Sequence, residues 1–389
     1  MKNLLPLQLA LLLLIFSACK EEPPEPIPFP NEPEVNYDFF FFFFVEKGIT
    51  DDKIPGLAIG VVRNGEIDWE QGYGLANREE GIEVTKNTSF ILNQGADLIL
   101  TTIIQQAVDK GLIDLDENIN RYIPFKIVNP IYPNAVVTMR MLLSHTAGLA
   151  DNTALLSSMY VAGDSDADLK EFLTEYLLPG GANYSAANFT TSRPGKTYEY
   201  SRVGIALAGY ILENATGIEL DIYSKTHVFT RLGLSNVSWF LSDLRQERVA
   251  IPYVNDGGAL VPQNNYGYPF YPSGQLRMNI SQLLRVLIVL TQNGSYGTQR
   301  ILKPSFVAEM KEVQYPRASA GQALAWRYVE INGRTLLGIS GFDTGSSSRI
   351  YIDPATNVGV AILTNGRGYG SRLNEILVKA FEVAETEGE

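Results

Sequence analysis

The chain has 389 residues, 45% of them hydrophobic and 19% charged, which is enough to bury a large core and to divide it between two subdomains. A formal net charge of −12 excludes the basic face that a nucleic-acid partner requires. A single cysteine excludes an internal disulfide, and with only two histidines a transition-metal site is not expected, nor is any cofactor.

Lys2, the apolar run from Leu4 to Phe16, and Ser17-Ala18 before Cys19 have the order of a lipoprotein signal: a positive start, a short apolar stretch, small residues, then cysteine. The run is short for a bilayer span. Residues 1–18 are therefore expected to be removed and Cys19 lipidated, which attaches the protein to the outer membrane, facing the periplasm or the cell surface. Lys20-Glu21-Glu22 resembles the surface-export signal of some bacterial lipoproteins. Residues 19–36, rich in Pro and Glu, cannot bury a core and form a solvated tether. Six consecutive phenylalanines follow, Phe39 to Phe44, apolar on every side of a helix and on both faces of a strand. They either pack on a sheet, the reading adopted, or dip into a bilayer.

Leu57 to Val62 and Ile67 to Gln71 flank Arg63-Asn64-Gly65-Glu66 and predict a hairpin, because Asn-Gly supplies the positive φ of a tight turn. Leu98 to Lys110 has helical spacing and stops at Gly111; Ser201 to Asn214 and Ser281 to Gln292 predict further helices. Tyr328 to Ile331, Arg334 to Leu337, Arg349 to Ile352 and Val358 to Thr364 predict late strands, with a turn at Asn332-Gly333. Strands at both ends around a helical middle imply one sheet built from both termini.

Several segments in order carry a resemblance. They are Ile54-Pro55-Gly56-Leu57-Ala58-Ile59-Gly60-Val61-Val62, Gly72-Tyr73-Gly74, Leu142-Leu143-Ser144-His145-Thr146-Ala147-Gly148-Leu149, Gly209-Tyr210-Ile211-Leu212-Glu213, Pro272-Ser273-Gly274-Gln275-Leu276, and Gly359 to Asn365 after Asp353-Pro354. The chain resembles the β-lactamase-related serine hydrolases, which include class C β-lactamases, D-Ala-D-Ala carboxypeptidases and esterases, over roughly residues 50 to 380. The resemblance implies an α/β (α+β) fold of the β-lactamase/transpeptidase-like type: an antiparallel sheet from both chain ends with flanking helices, over 37–385. The sheet subdomain would take about 37–95 and 270–385, and a mostly helical subdomain 96–269.

In that family a serine attacks a carbonyl and a lysine three residues later takes its proton. Gln94 stands at the serine position and Asp97 at the lysine position. A carboxamide has no ionisable hydroxyl and cannot form an acyl-enzyme. No other Ser-x-x-Lys survives in the mature chain, since Ser17 and Lys20 are separated by cleavage, and no Gly-x-Ser-x-Gly occurs. The family's Tyr-x-Asn falls at Tyr200-Ser201-Arg202, keeping the tyrosine and losing the asparagine, whereas Tyr253-Val254-Asn255 lies out of order. The Lys/His-x-Gly motif falls at Ile339-Ser340-Gly341, where a cation that helps hold a substrate carboxylate has become aliphatic. Asp97 and Arg202 occupy positions that touch in the family and are expected to form an ion pair plugging the site.

His145 is expected to hold a turn. Ser144, Ser201 and Ser340 carry hydroxyls without a base at a recognisable spacing. Tyr266, Tyr268 and Tyr271, with Phe270 on a Gly/Pro loop, either stack on a ligand beside Tyr200 or pack the loop onto its own domain. The expected function is a catalytically degenerate, lipid-anchored envelope protein that binds a peptidoglycan-type peptide or a protein partner. The alternative is an active β-lactamase, D-Ala peptidase or esterase using Tyr200, Ser201 or an Asp97-activated water.

Overall fold

Asn64 and Gly65, at φ 54° and 86°, turn strand β1 (Gly56–Arg63) back into β2 (Glu66–Asn77), as the Asn-Gly signal requires. The structure, a computed structural model, describes residues 39–386, which fall within one compact unit. The signal segment, Cys19 and the Pro/Glu tether lie outside the described residues. A short β3 (Ile82–Glu83) ends this part of the sheet. The chain returns to it at β4 (Arg327–Ile331), β5 (Arg334–Asp343), β6 (Ser346–Ile352) and β7 (Gly359–Thr364). The order β4-β5-β6-β7-β1-β2-β3 is antiparallel throughout and places the last strand beside the first, Ile59 opposite Ile362. Asn332-Gly333, at φ 49° and 83°, make the β4–β5 turn. β5 is longer than its apolar pattern suggested, because the polar-facing stretch to Asp343 continues the ladder with β6.

Side-chain alternation along β1 and β7 separates two cores. Leu57, Ile59, Val61, Val360 and Ile362 face a layer formed by α1 (Phe39–Asp52) and α5 (Gly370–Thr386). Ala58, Ala361 and Leu363 face the main core, with α2 (Gly95–Asp109), α3 (Arg202–Thr216) and α4 (Ile280–Thr291). The phenylalanine run is thus helical and packs on the sheet. Phe41 meets Trp69 edge-on at 5.4 Å, Val45 is fully buried, and Phe42 lies 5.4 Å from Tyr73, while Phe43 is 57% exposed.

The helix ends follow capping chemistry. Asn279 and Gln282 form a reciprocal capping box at the start of α4. Ser201 caps α3, which stops at Gly217 with φ 69°. α2 starts at Gly95, one turn earlier than its apolar spacing indicated, so that Asp97 lies in its first turn rather than in the preceding loop.

Candidate functional site

The first turn of α2, the segment entering α3 and the C-terminal half of β5 converge on a cleft of about 440 Å³. Gln94, His145, Tyr198, Tyr200, Arg327, Ile339, Ser340, Phe342 and Tyr351 are among its lining residues. Gln94, Tyr200 and Ile339, one residue from each of the three expected motif positions, therefore meet at one place.

Gly341 sets how closely β5 approaches α2. A Cβ there would fall 2.9 Å from both Gln94 N and Leu92 O and 2.6 Å from Ser348 Oγ, so only glycine allows the contact. That approach brings the Phe342 N–H to the Gln94 side chain, whose Oε1 accepts it at 2.7 Å. A backbone N–H facing the residue at position 94 is the kind of donor that stabilises an oxyanion when a carbonyl is attacked. Here it is occupied by the protein's own carboxamide.

Behind Gln94, Asp97 is fully buried, and its Oδ2 accepts a 2.8 Å hydrogen bond from the Tyr200 hydroxyl. Burial raises the Asp97 pKa to about 8; the Tyr200 hydrogen bond and the nearby Arg202 charge oppose the shift, and Asp151 adds to it. Burial and the Asp97 charge in turn hold the Tyr200 phenol well above its ordinary value. Neither group is a ready base at neutral pH.

The expected Asp97–Arg202 ion pair is not formed. Arg202 turns instead toward β5: its Nη1 donates to Tyr160 Oη at 2.5 Å and stands 3.7 Å from Asp343 Oδ2, and Tyr160 donates to that same carboxylate at 2.6 Å. The physical reason is exposure. Arg202 and Asp343 both reach partly solvated positions, whereas joining Asp97 would carry the guanidinium into a fully buried site. Tyr160 is held there because the next residues, Val161–Ala162, pair with Tyr266–Gly267. Nothing in the sequence marked Tyr160 or Asp343.

Ser201 and Ser144 are committed elsewhere, while Ser340 stays in the cleft. Ser201 donates to Asp151 Oδ1 at 2.9 Å and accepts from Gly204 N, as an N-cap does. Asp151 also accepts from the N–H groups of Arg202 at 2.8 Å and Val203 at 3.3 Å. Ser144 donates to Arg140 O and is fully buried. Ser340 lines the cleft, 2.6 Å from the Tyr351 hydroxyl. His145, at φ 54°, holds a turn: its carbonyl accepts from Glu199 N, its ring lies 4.4 Å from that of Tyr200, and burial lowers its pKa to about 3.

Of the four tyrosines expected as ligand contacts, only Tyr200 lines the cleft. Tyr266 and Tyr268 are buried in a ring cluster with Tyr160 and Phe270, and Tyr271 donates to Glu213 at 2.9 Å. Aromatic burial of the loop outweighs its exposure to a ligand. Tyr253 hydrogen-bonds Glu79 and the Arg78 N–H, outside the cleft lining.

The cleft's cation was missed by sequence reasoning. Arg327 starts β4 opposite Gly338, one residue before Ile339, and its guanidinium lies 5.5 Å from the centre of the Tyr198 ring. It lies one strand away from the position where the family motif carries its cation, and no motif spacing points to it. Among the described residues, no group of three or more His, Cys, Asp or Glu converges to hold a metal ion.

Residues 44–384 match the family model described as Beta-lactamase, and the chain belongs to that family. It is 25% identical over 334 residues to "Penicillin-binding protein 4" of Amycolatopsis lactamdurans, with 82% of each chain covered. It is 21% identical to "Protein flp" of Staphylococcus aureus, covering 82% of this chain and 61% of that one. Among solved structures, the fold resembles a D-amino acid amidase from Ochrobactrum anthropi SV3 (TM-score 0.72, 19% identity, 90% of this chain and all of that chain). It also resembles a class C beta lactamase from Rhodobacter sphaeroides (TM-score 0.67, 20% identity, 91% and 100% covered).

Proposed function

We propose that this protein is a non-acylating member of its family that uses the remaining cleft to bind a peptide ending in a carboxylate, of the kind found in peptidoglycan stems. The observation that carries the reading is the Gln94–Phe342 hydrogen bond: the position that needs a nucleophile holds a carboxamide, and that carboxamide fills the neighbouring N–H donor. The cleft itself is not filled, because Arg202 leaves it for Tyr160 and Asp343. Arg327, on an otherwise acidic chain, supplies the positive charge, and the Ser340 and Tyr351 hydroxyls supply neutral hydrogen-bonding groups beside it. Attachment to the envelope through lipidated Cys19 would bring the cleft to such peptides.

The hydrolase alternative needs an activated group, and each candidate is committed elsewhere. Ser201 is a helix cap, the Tyr200 hydroxyl donates a hydrogen bond to Asp97, and burial raises the Asp97 pKa to about 8.

Calorimetric titration with a stem peptide ending in D-Ala-D-Ala, alongside mass spectrometry after incubation with labelled penicillin, tests this reading. Reversible binding without a covalent adduct is expected. Arg327→Ala should weaken that binding about ten- to a hundredfold, the range for a hydrogen bond to a charged group. A stoichiometric penicillin adduct, or turnover of the peptide, would overturn it.

A further inference from the structure

Below the cleft floor, α2 is buried on all sides from Gly95 to Ala107, which normally calls for an apolar helix. One face instead carries Asp97, Thr101 and Gln105, each four residues from the next and each 0% exposed. Residues spaced this way stack along a helix, with Cβ atoms about 5–6 Å apart.

Apart from Asp97 Oδ2, the side-chain polar atoms of this face have no hydrogen-bond partner among the described residues. Asp97 Oδ1, Thr101 Oγ1, and both Oε1 and Nε2 of Gln105 are buried without a hydrogen bond. The adjacent residues are better satisfied: Thr102 donates to Leu98 O at 2.9 Å, and Gln106 Nε2 donates to Ile301 O at 2.9 Å, although its Oε1 is unpaired. The unsatisfied atoms of Asp97, Thr101 and Gln105 thus form a stripe that begins at the carboxylate whose other oxygen holds Tyr200, with Gln106 Oε1 unpaired beside its far end. Buried polar groups in folded proteins are almost always paired, and those left by the protein are paired by internal water.

We infer that this stripe is a buried hydration site, in which ordered water molecules bridge Asp97 Oδ1, Thr101 Oγ1 and the Gln105 carboxamide in a file running from the cleft floor along α2. One water with two hydrogen bonds of about 2.8 Å spans the gap between side chains one turn apart. The file satisfies the second oxygen of Asp97 whichever way that carboxyl is ionised. It also accounts for an acid, a hydroxyl and an amide on a helix that meets no bulk solvent along this face. The inference is independent of what the cleft binds.

A crystal structure at a resolution that reveals bound solvent tests it directly. Water density bonded to Asp97 Oδ1, Thr101 Oγ1 and Gln105 is expected; a dry stripe, or side chains rotated into direct bonds with one another, would overturn it. Thr101→Val, which keeps the shape and removes the hydroxyl, gives a second readout on the purified protein. If the hydroxyl holds a water, its loss lowers Tm by about 1–4 °C; if it is buried dry, Tm rises and the inference fails.

Discussion

The side-chain oxygen of Gln94 accepts the Phe342 backbone N–H at 2.7 Å, so the residue expected at the nucleophile position is bonded to the strand that lines the cleft. Replacing Gln94 with serine alone frees the N–H but supplies no base, since Asp97 is an acid bonded to Tyr200. Lysine at position 97 would meet the Arg202 charge, which already acts on Asp97. Gln94→Ser is therefore expected to give no penicillin adduct. The combination Gln94→Ser, Asp97→Lys, Arg202→Asn and Ile339→His should acylate, as read by intact-protein mass spectrometry. Acylation of the single variant would show that a base other than the lysine is in reach.

The raised Asp97 pKa fixes a sign for pH dependence. The folded state holds the proton up to about pH 8, whereas an unfolded aspartate loses it near 4, so between these values the folded chain binds more protons. This contribution is complete below pH 4 and is lost as pH rises through 8. Asp151 and Glu213, also raised by burial, act in the same direction, and neutral His145 acts oppositely below its ordinary range. Asp97→Asn keeps an acceptor for Tyr200 and should flatten the decline of unfolding free energy between pH 5 and 8 relative to the parent, by a difference on the order of a few kcal/mol, seen as a flatter Tm–pH curve. Parallel Tm–pH curves for the two proteins would contradict the assignment.

Asp151 serves three donors at the start of α3: Ser201 Oγ and the N–H groups of Arg202 and Val203. Asp151→Ala should cost about 2–3 kcal/mol in urea unfolding, because it strands partly buried donors, while Ser201→Ala should cost about 1 kcal/mol, the usual loss of a cap. Ser201→Ala should bind ligand as the parent does. A loss of binding in Ser201→Ala at unchanged stability would reopen a functional role for that hydroxyl.

Much of this was legible in the sequence. The two Asn-Gly turns, the apolar runs of β1 and β7 and the helical spacing of α3 and α4 are local signals, and each formed at the expected place within a few residues. The expected motif positions also meet: Gln94, Tyr200 and Ile339 line one cleft, Asp97 bonds Tyr200, and Gly341 packs against Gln94. The partner choices were not legible. Arg202 bonds to Tyr160 and Asp343, residues 42 positions before it and 141 after it, and only strand pairing brings them together. Arg327 escaped notice for the same reason: its relation to Ile339 is a register between neighbouring strands, not a spacing along the chain.

Tyr160 is the hinge-pin of the Arg202–Asp343 contact, since those charges alone stand 3.7 Å apart with both groups partly exposed. Tyr160→Phe should cost about 1 kcal/mol, read from urea unfolding, with most of the loss removed when Arg202→Ala is already present. Additive losses in that cycle would mean that the hydroxyl and the guanidinium act separately.

The two helices that cover the outer face of the sheet, α1 and α5, lie on the side opposite α2 and the cleft. Whatever settles on that outer layer therefore leaves the mouth of the cleft unobstructed.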